Sequence, residues 1–166
     1  MKTFFKLITV IGCSIFLVTS CSRKKDKFIS RNFHAITAEY NALYNGYNAL
    51  EEGRNNLNER YLDKYWDLLL IERMEVFEDI IMPGQSQNES FSRAEEKAVK
   101  AIQMQGMDIE GKEKNPQIDE AYLLLGKARY FDQRFVPALE AFNYILYKYP
   151  ASDKINQAKI WREKTN

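Results

Sequence analysis

Both cysteines of this 166-residue chain, Cys13 and Cys21, lie within its first 21 positions. Around them the sequence has the anatomy of an export signal. Lys2 and Lys6 precede an apolar run over 7–18, and the small-residue stretch Val18-Thr19-Ser20 stands directly before Cys21. Removal of residues 1–20 as a signal peptide takes Cys13 away and makes Cys21 the first mature residue. No disulfide within the chain is then possible, in a compartment where small domains commonly rely on them. The mature chain must hold by packing alone, and its about 145 residues are enough for one domain with a real core.

An uncleaved anchor is the competing reading, but the apolar run falls short of the about 20 residues that span a bilayer. Cys13 is a poorer cleavage point, because cutting there would strand Ser14 and the apolar residues behind it at the mature N-terminus. A cysteine at the cleavage position resembles the bacterial lipoprotein signal, in which that cysteine carries the lipid. Ser22 behind it, in place of an acid, resembles an outer-membrane sorting signal, and the lack of an acidic cluster favours the periplasmic leaflet. Residues 21–31 then form a lipidated tether. Its basic run, Arg23-Lys24-Lys25 with Lys27, can lie on anionic headgroups at about 1 kcal/mol per basic residue, or be simply solvated.

Gly and Pro are sparse, and Ala, Leu, Glu, Lys, Gln and Tyr prevail, so the body is expected to be all-α. The net charge of +1, with both signs interspersed, argues against a nucleic-acid binder, which would show a basic stripe. From Asn32 the apolar positions Ile36, Tyr40, Leu43, Tyr47, Leu50, Leu57 and Tyr61 alternate steps of three and four, which marks one buried helical face. Asn45-Gly46 and Gly53 interrupt it. Asn-Gly predicts a turn and hence a helical hairpin, the alternative being one continuous helix carrying two glycines. Over 61–82, Trp66, Leu70, Phe77 and Ile81 share a helical face. Ser92-Arg93-Ala94-Glu95 reads as a capping box opening a helix with a small face of Ala94, Ala98, Ala101 and Ile102. The stretch 106–116 reads as a charged loop.

The last third is the most regular. Pro116 suits the first turn of a helix, and Asp119 and Glu120 favour its positive end. Asp132-Gln133-Arg134 is a tight turn. A second helix runs from Phe135 to Tyr149 and stops before Pro150, and Ser152 caps a third that holds Ala158, Ile160 and Trp161. Aligned to a repeat of about 34 residues starting at Asp119, the residues Tyr122, Leu125, Gly126, Ala138, Phe142 and Pro150 fall on the signature positions of a tetratricopeptide repeat. Gly126 and Ala138 let two helices approach, Tyr122, Leu125 and Phe142 fill the seam, and Pro150 stops the second helix. Two positions depart from the pattern: Arg129 stands where a ring is usual, which neighbouring Tyr130 can replace, and Ile145 where alanine is usual. The chain thus reads as a degenerate helical repeat region over 32–115, then a tetratricopeptide repeat over 119–152 within 116–166, then the first helix of a next repeat. Trp161, with nothing behind it to cover it, leads to the expectation of an N-terminal fragment of a longer solenoid or a truncated gene product.

The runs Asn32-Phe33-His34-Ala35, Ala38-Glu39-Tyr40-Asn41, Pro83-Gly84-Gln85-Ser86-Gln87-Asn88 and the stretch 119–161 resemble the N-terminal part of the SprE/PorW family, tetratricopeptide lipoproteins of Bacteroidetes gliding motility and type IX secretion. The resemblance covers most of the mature chain. It implies a longer outer-membrane lipoprotein that faces the periplasm and links parts of the secretion machinery.

Catalytic chemistry is not visible. His34 is the single histidine, with no second His or spare Cys to share a metal, and reads as an ordinary helix residue. Glu51-Glu52 and Glu95-Glu96 are adjacent and point to different helix faces. Nucleophile elbows and phosphate-cradling glycine loops do not occur. No cofactor, metal or small-molecule substrate is expected. The function expected is an interaction scaffold, with a concave groove lined by Glu120, Leu123, Lys127, Tyr130 and Phe131. In it Lys127 would meet a partner carboxylate and the rings would supply area. The competing structural reading has Leu123 and Tyr130 covered by another helix of the same chain, and the competing function is an envelope-assembly lipoprotein that aids β-barrel insertion or holds peptidoglycan.

Replacing Cys21 by Ala is expected to release the protein from membranes. The wild type, holding several acyl chains, should stay bound through a high-salt wash that removes only the share of binding due to the basic run. Membrane fractionation decides it: a Cys21→Ala chain that stays bound after the wash would mean an uncleaved anchor.

Overall fold

A computed structural model describes residues 23–24, 26–63, 65–66, 71–74 and 88–166. The signal region with Cys13 and Cys21, the residues Leu70, Phe77 and Ile81, and the run 83–87 lie outside the described residues. Helix α1, Phe28–Thr37, passes through a π-helical segment, Ala38–Leu43, into α2, Tyr44–Arg60. Helix α3 spans Glu89–Gln105. A small antiparallel hairpin follows, β1 Asp108–Ile109 and β2 Lys112–Glu113, and then α4 Ile118–Phe131, α5 Phe135–Lys148 and α6 Ile155–Thr165. Among the described residues the body is all-α apart from that hairpin. Each helix from α2 onward packs on the next in sequence, and α4 also touches α2 and α6, so α4 is the centre of the stack.

The expected turn at Asn45-Gly46 does not form: the chain is helical from Phe28 to Arg60. The glycines have a different job. A Cβ on Gly46 would lie 2.5 Å from Leu124 Cδ2 of α4, and one on Gly53 would strike the Phe91 ring of α3. They are places where two helices come too close for any side chain. The helix also starts four residues before Asn32, inside the expected tether.

The predicted stripe holds on one side of the π segment only. Leu43, Leu50 and Leu57 are buried and Tyr47 packs on the core, whereas Ile36 and Tyr40 are 57% and 66% exposed. A π turn takes extra residues per turn and so rotates the helix face that follows it relative to the one before. Ahead of Leu43 the buried positions are Ser30, His34, Ala38 and Ala42. Three-and-four spacing carried backward through the segment therefore lands on the wrong side.

The capping box is not used as one. Helix α3 begins earlier, at Glu89, where Asn88 Oδ1 accepts the Ser90 N–H at 3.0 Å. Its small face is buried as expected at Ala94, Ala98 and Ala101. Glu95 lies beyond the first turn and its carboxylate accepts from Arg129 Nε at 2.8 Å and from Arg134, whose Nε also meets Asp132 at 2.7 Å. That cluster explains why Arg129 replaces a ring: it joins α4 to α3, and it also donates to the Pro137 carbonyl at 3.2 Å.

Trp66 lies in a turn and is fully exposed rather than on a packed helical face, and the described residues between 61 and 74 carry no helix. The stretch 106–116 is not a featureless loop. Glu110 and Gly111, with φ of 54° and 76°, make the two-residue turn between β1 and β2. Glu113 Oε1 accepts from the Met107 and Asn115 backbones, at 2.7 and 2.8 Å, and closes the base of the hairpin. Pro116 sits ahead of α4, not in its first turn: the buried Asn115 supplies the turn by accepting the Gln117 N–H at 3.0 Å. The tight turn at Asp132-Gln133-Arg134 forms as expected, with Gln133 at φ 59°, and α5 ends before Pro150. Ser152 is not the cap residue of α6, which is Lys154. Its hydroxyl accepts the Lys154 N–H at 2.9 Å and donates to Asp119, tying the end of the α4–α5 hairpin to its beginning. Trp161 is not bare. It packs on Tyr130, Phe131 and Phe142 at centroid distances of 5.3, 5.7 and 6.4 Å.

Two predictions follow from this packing. Ala gains about 1 kcal/mol over Gly in a helix interior, yet Gly53→Ala and Gly126→Ala should each destabilise the protein by about 1–3 kcal/mol, because the new methyl meets the face of an aromatic ring. Gly46→Ala, which meets the movable end of Leu124, should cost less, and urea unfolding ranks the three. Burial alone would raise the Glu95 pKa, but the Arg134 and Arg129 hydrogen bonds outweigh it and hold the carboxyl below its ordinary value. Its stabilisation is complete above the ordinary carboxylate pKa and is lost as pH falls through the lowered one. Glu95→Gln should cost about 2 kcal/mol at neutral pH, with wild type and variant converging in acid.

Candidate partner-binding surface

The five residues expected to line a groove divide into two groups. Leu123, Tyr130 and Phe131 are buried and belong to the core cluster. This corrects the expectation for all three: they are not open to a partner. The cause is the central place of α4. Helix α6 closes over it with Trp161 edge-on to Tyr130 and Phe131, and α2 sets the Arg54 guanidinium 5.3 Å from the Phe131 centroid. The competing reading, coverage by another helix of the chain, is the one realised.

Glu120 and Lys127 remain on the outer side of α4. Lys127 Nζ stands 5.8 Å from the Tyr47 centroid and 5.4 Å from that of Trp161, so it bridges a ring of α2 and a ring of α6. Lys164 caps the same indole at 4.6 Å. Glu120 meets Lys154 at 3.5 Å, and Lys164 meets Glu72. Lys127 has no ion pair among the described residues. Burial is the main cause of its lowered pKa; Glu120 opposes it, and Arg54, Lys154 and Lys164 push it further down. Burial also drives the Tyr47 hydroxyl well above its ordinary range, helped by the charge of Glu120 and a hydrogen bond to it. That phenol stays protonated and donates.

Helices α2, α4 and α6 therefore put Arg54, Lys127, Lys154 and Lys164 around an aromatic floor of Tyr47 and Trp161. The groove positions carried one repeat further would have found half of this set. Lys154, Trp161 and Lys164 follow Glu120, Lys127 and Tyr130 by one period of about 34 residues. Arg54 and Tyr47 carry no such signal, because nothing in sequence aligns α2 with α4.

The six signature residues sit along the α4–α5 hairpin. Leu125, Ala138 and Phe142 are buried, and a Cβ on Gly126 would strike the Phe142 ring. Tyr122 lies against Tyr144 at 4.3 Å and near Tyr149 at 6.3 Å, and burial raises its pKa to about 12. Pro150 follows the end of α5, and Ile145 is fully buried where alanine was the pattern. His34 is buried on α1, its Nδ1 2.6 Å from Gln105 Oε1. Among the described residues no cluster of three His, Cys, Asp or Glu side chains could hold a metal, and no helix is long and apolar enough to cross a membrane. No known family model matches the chain, and no curated protein matches it.

Proposed function

We propose that the protein is a lipid-anchored adaptor on the periplasmic face of the outer membrane, built of tetratricopeptide-like hairpins, that holds an acidic segment of a protein partner. The observation that carries the reading is Lys127, a half-buried cation with no ion pair among the described residues, set among three further cations and two rings. A carboxylate there would gain a charge-assisted hydrogen bond, and the rings would exclude water around it. The repeat reading rests on the α4–α5 hairpin, with Gly126 opposite Phe142, and on α6 continuing the stack at the same sequence spacing. The anchor rests on the residues before Cys21. The resemblance to SprE/PorW proteins makes the type IX secretion and gliding machinery the source of the partner.

Lys127→Glu, made in the lipidated full chain, should reduce co-purification of secretion-machinery components about tenfold or more, the loss of one charge-assisted contact and the gain of a repulsion. The helices should stay formed, as circular dichroism checks, with a modest loss of stability because the substitution gives up the two ring contacts of Lys127. Capture by the wild type should also weaken at a lower pH than an ordinary lysine would set, because Lys127 gives up its proton earlier. Unchanged capture by the variant would overturn the groove assignment. Deleting the gene tests the pathway: lost cargo secretion and surface spreading support it, whereas general depletion of outer-membrane barrels would move the protein to envelope assembly.

A further inference from the structure

The N-terminal helix carries an apolar stripe that none of the described residues covers. Ile29, Phe33, Ile36 and Tyr40 follow one another at steps of four, three and four, and Tyr44 continues the line; each is more than half exposed. The stripe cannot turn inward, because the other side of the helix is already used. Ser30, His34 and Ala38 are buried, α1 packs on α3, and His34 is bonded to Gln105 at the end of α3.

Beside the stripe lies an open cavity of about 280 Å3 lined by Thr37, Asn41, Asn45, Lys97, Lys100 and Gln105. Thr37, Asn41 and Asn45 each follow a stripe residue by one place, so the cavity runs alongside it on the side facing α3. Lys100 has no ion pair among the described residues, and Lys97 has only a 3.9 Å contact with Glu96. Ahead of the stripe, Arg23, Lys24 and Lys27 are exposed. Of the acids on this segment, Asp26 is held by Arg31 and Lys114 at 3.3 and 3.0 Å. Glu39 is exposed on the flank of the stripe away from the cavity.

We infer that this face lies flat on an anionic bilayer surface. Ile29, Phe33 and Ile36 enter the acyl boundary, Tyr40 and Tyr44 sit at headgroup level, and a lipid phosphate occupies the cavity between Lys97 and Lys100. An apolar stripe flanked by cations is how a helix binds in the interfacial plane, tyrosine is enriched at headgroup depth, and anionic lipid attracts the flanking lysines. The occupant is the membrane rather than another protein on two grounds: the cations bordering the stripe match anionic headgroups, and Phe28 stands seven residues after Cys21. The inference rests on the anchored reading and adds to it. A lipid alone leaves the domain free to tumble, whereas the stripe fixes which side looks at the bilayer.

The test uses the lipidated full chain in vesicles of phosphatidylcholine and phosphatidylglycerol with brominated acyl chains, which quench tryptophan on contact. Phe33→Trp places a reporter on the stripe and Arg31→Trp places one on the opposite side of the same helix, about 160° away. The added emission at position 33 should fall about threefold or more and that at position 31 should hardly change, as expected for one face immersed in the acyl boundary. Lys97→Glu with Lys100→Glu should remove the extra quenching that phosphatidylglycerol produces over phosphatidylcholine alone. Equal quenching at both positions in a chain that floats with vesicles overturns the docking and leaves the anchor intact. A chain that fails to float overturns the anchor together with the docking. Sedimentation as a dimer, with residue 33 shielded before any lipid is added, overturns it in favour of a second copy.

Discussion

Close helix approach at glycine and alanine, each facing an aromatic ring or a leucine, is what the fold depends on. Gly53 receives the Phe91 ring, Gly126 the Phe142 ring and Gly46 the end of Leu124, while α3 offers Ala94, Ala98 and Ala101, all fully buried. Phe91 in turn stacks on Phe131 at 5.6 Å, which carries the contact from α2 through α3 to α4. With both cysteines in the first 21 residues, the described helices hold together by this small-against-large interlocking and not by a disulfide.

Two further devices close the stack at its sides. The Glu95 carboxylate joins α3 to α4 and to the turn before α5 through Arg129 and Arg134, in a partly buried setting where a charged hydrogen bond outweighs its desolvation. Trp161 does the same for α6 with apolar contacts on α4 and α5. The aromatic floor this leaves at the surface is too small to be a core, but it is framed by lysines whose ammonium groups stand over its rings. The cationic face is thus a by-product of closing the helix stack, and Lys127 is its member without an ion pair among the described residues.

The local signals in the sequence were reliable where one residue type answers to one cause. Proline after α5, the Asp132-Gln133-Arg134 turn, the acids in the first turn of α4 and the alanine face of α3 were all legible, since each reflects backbone geometry or periodicity within one helix. Expectations failed where the cause lay on another element. Asn45-Gly46 has the chemistry of a turn, and only the presence of α4 across from it makes it a helical contact. Ser92 and Glu95 have the spacing of a capping box, but Asn88 starts the helix first and two arginines from beyond α3 claim the glutamate.

The sequence by itself determined an all-α body, a cysteine-free core and the α4–α5 hairpin, because propensity, composition and short-range spacing are properties of the chain and need no partner. Which faces are open was decided by the tertiary structure alone. Leu123, Tyr130 and Phe131 pass from groove to core because α2 and α6 flank α4, an arrangement of segments far apart in sequence. Ile36 and Tyr40 pass from core to surface because a π segment rotates one end of a continuous helix against the other, and periodicity read from residue spacing assumes a constant turn.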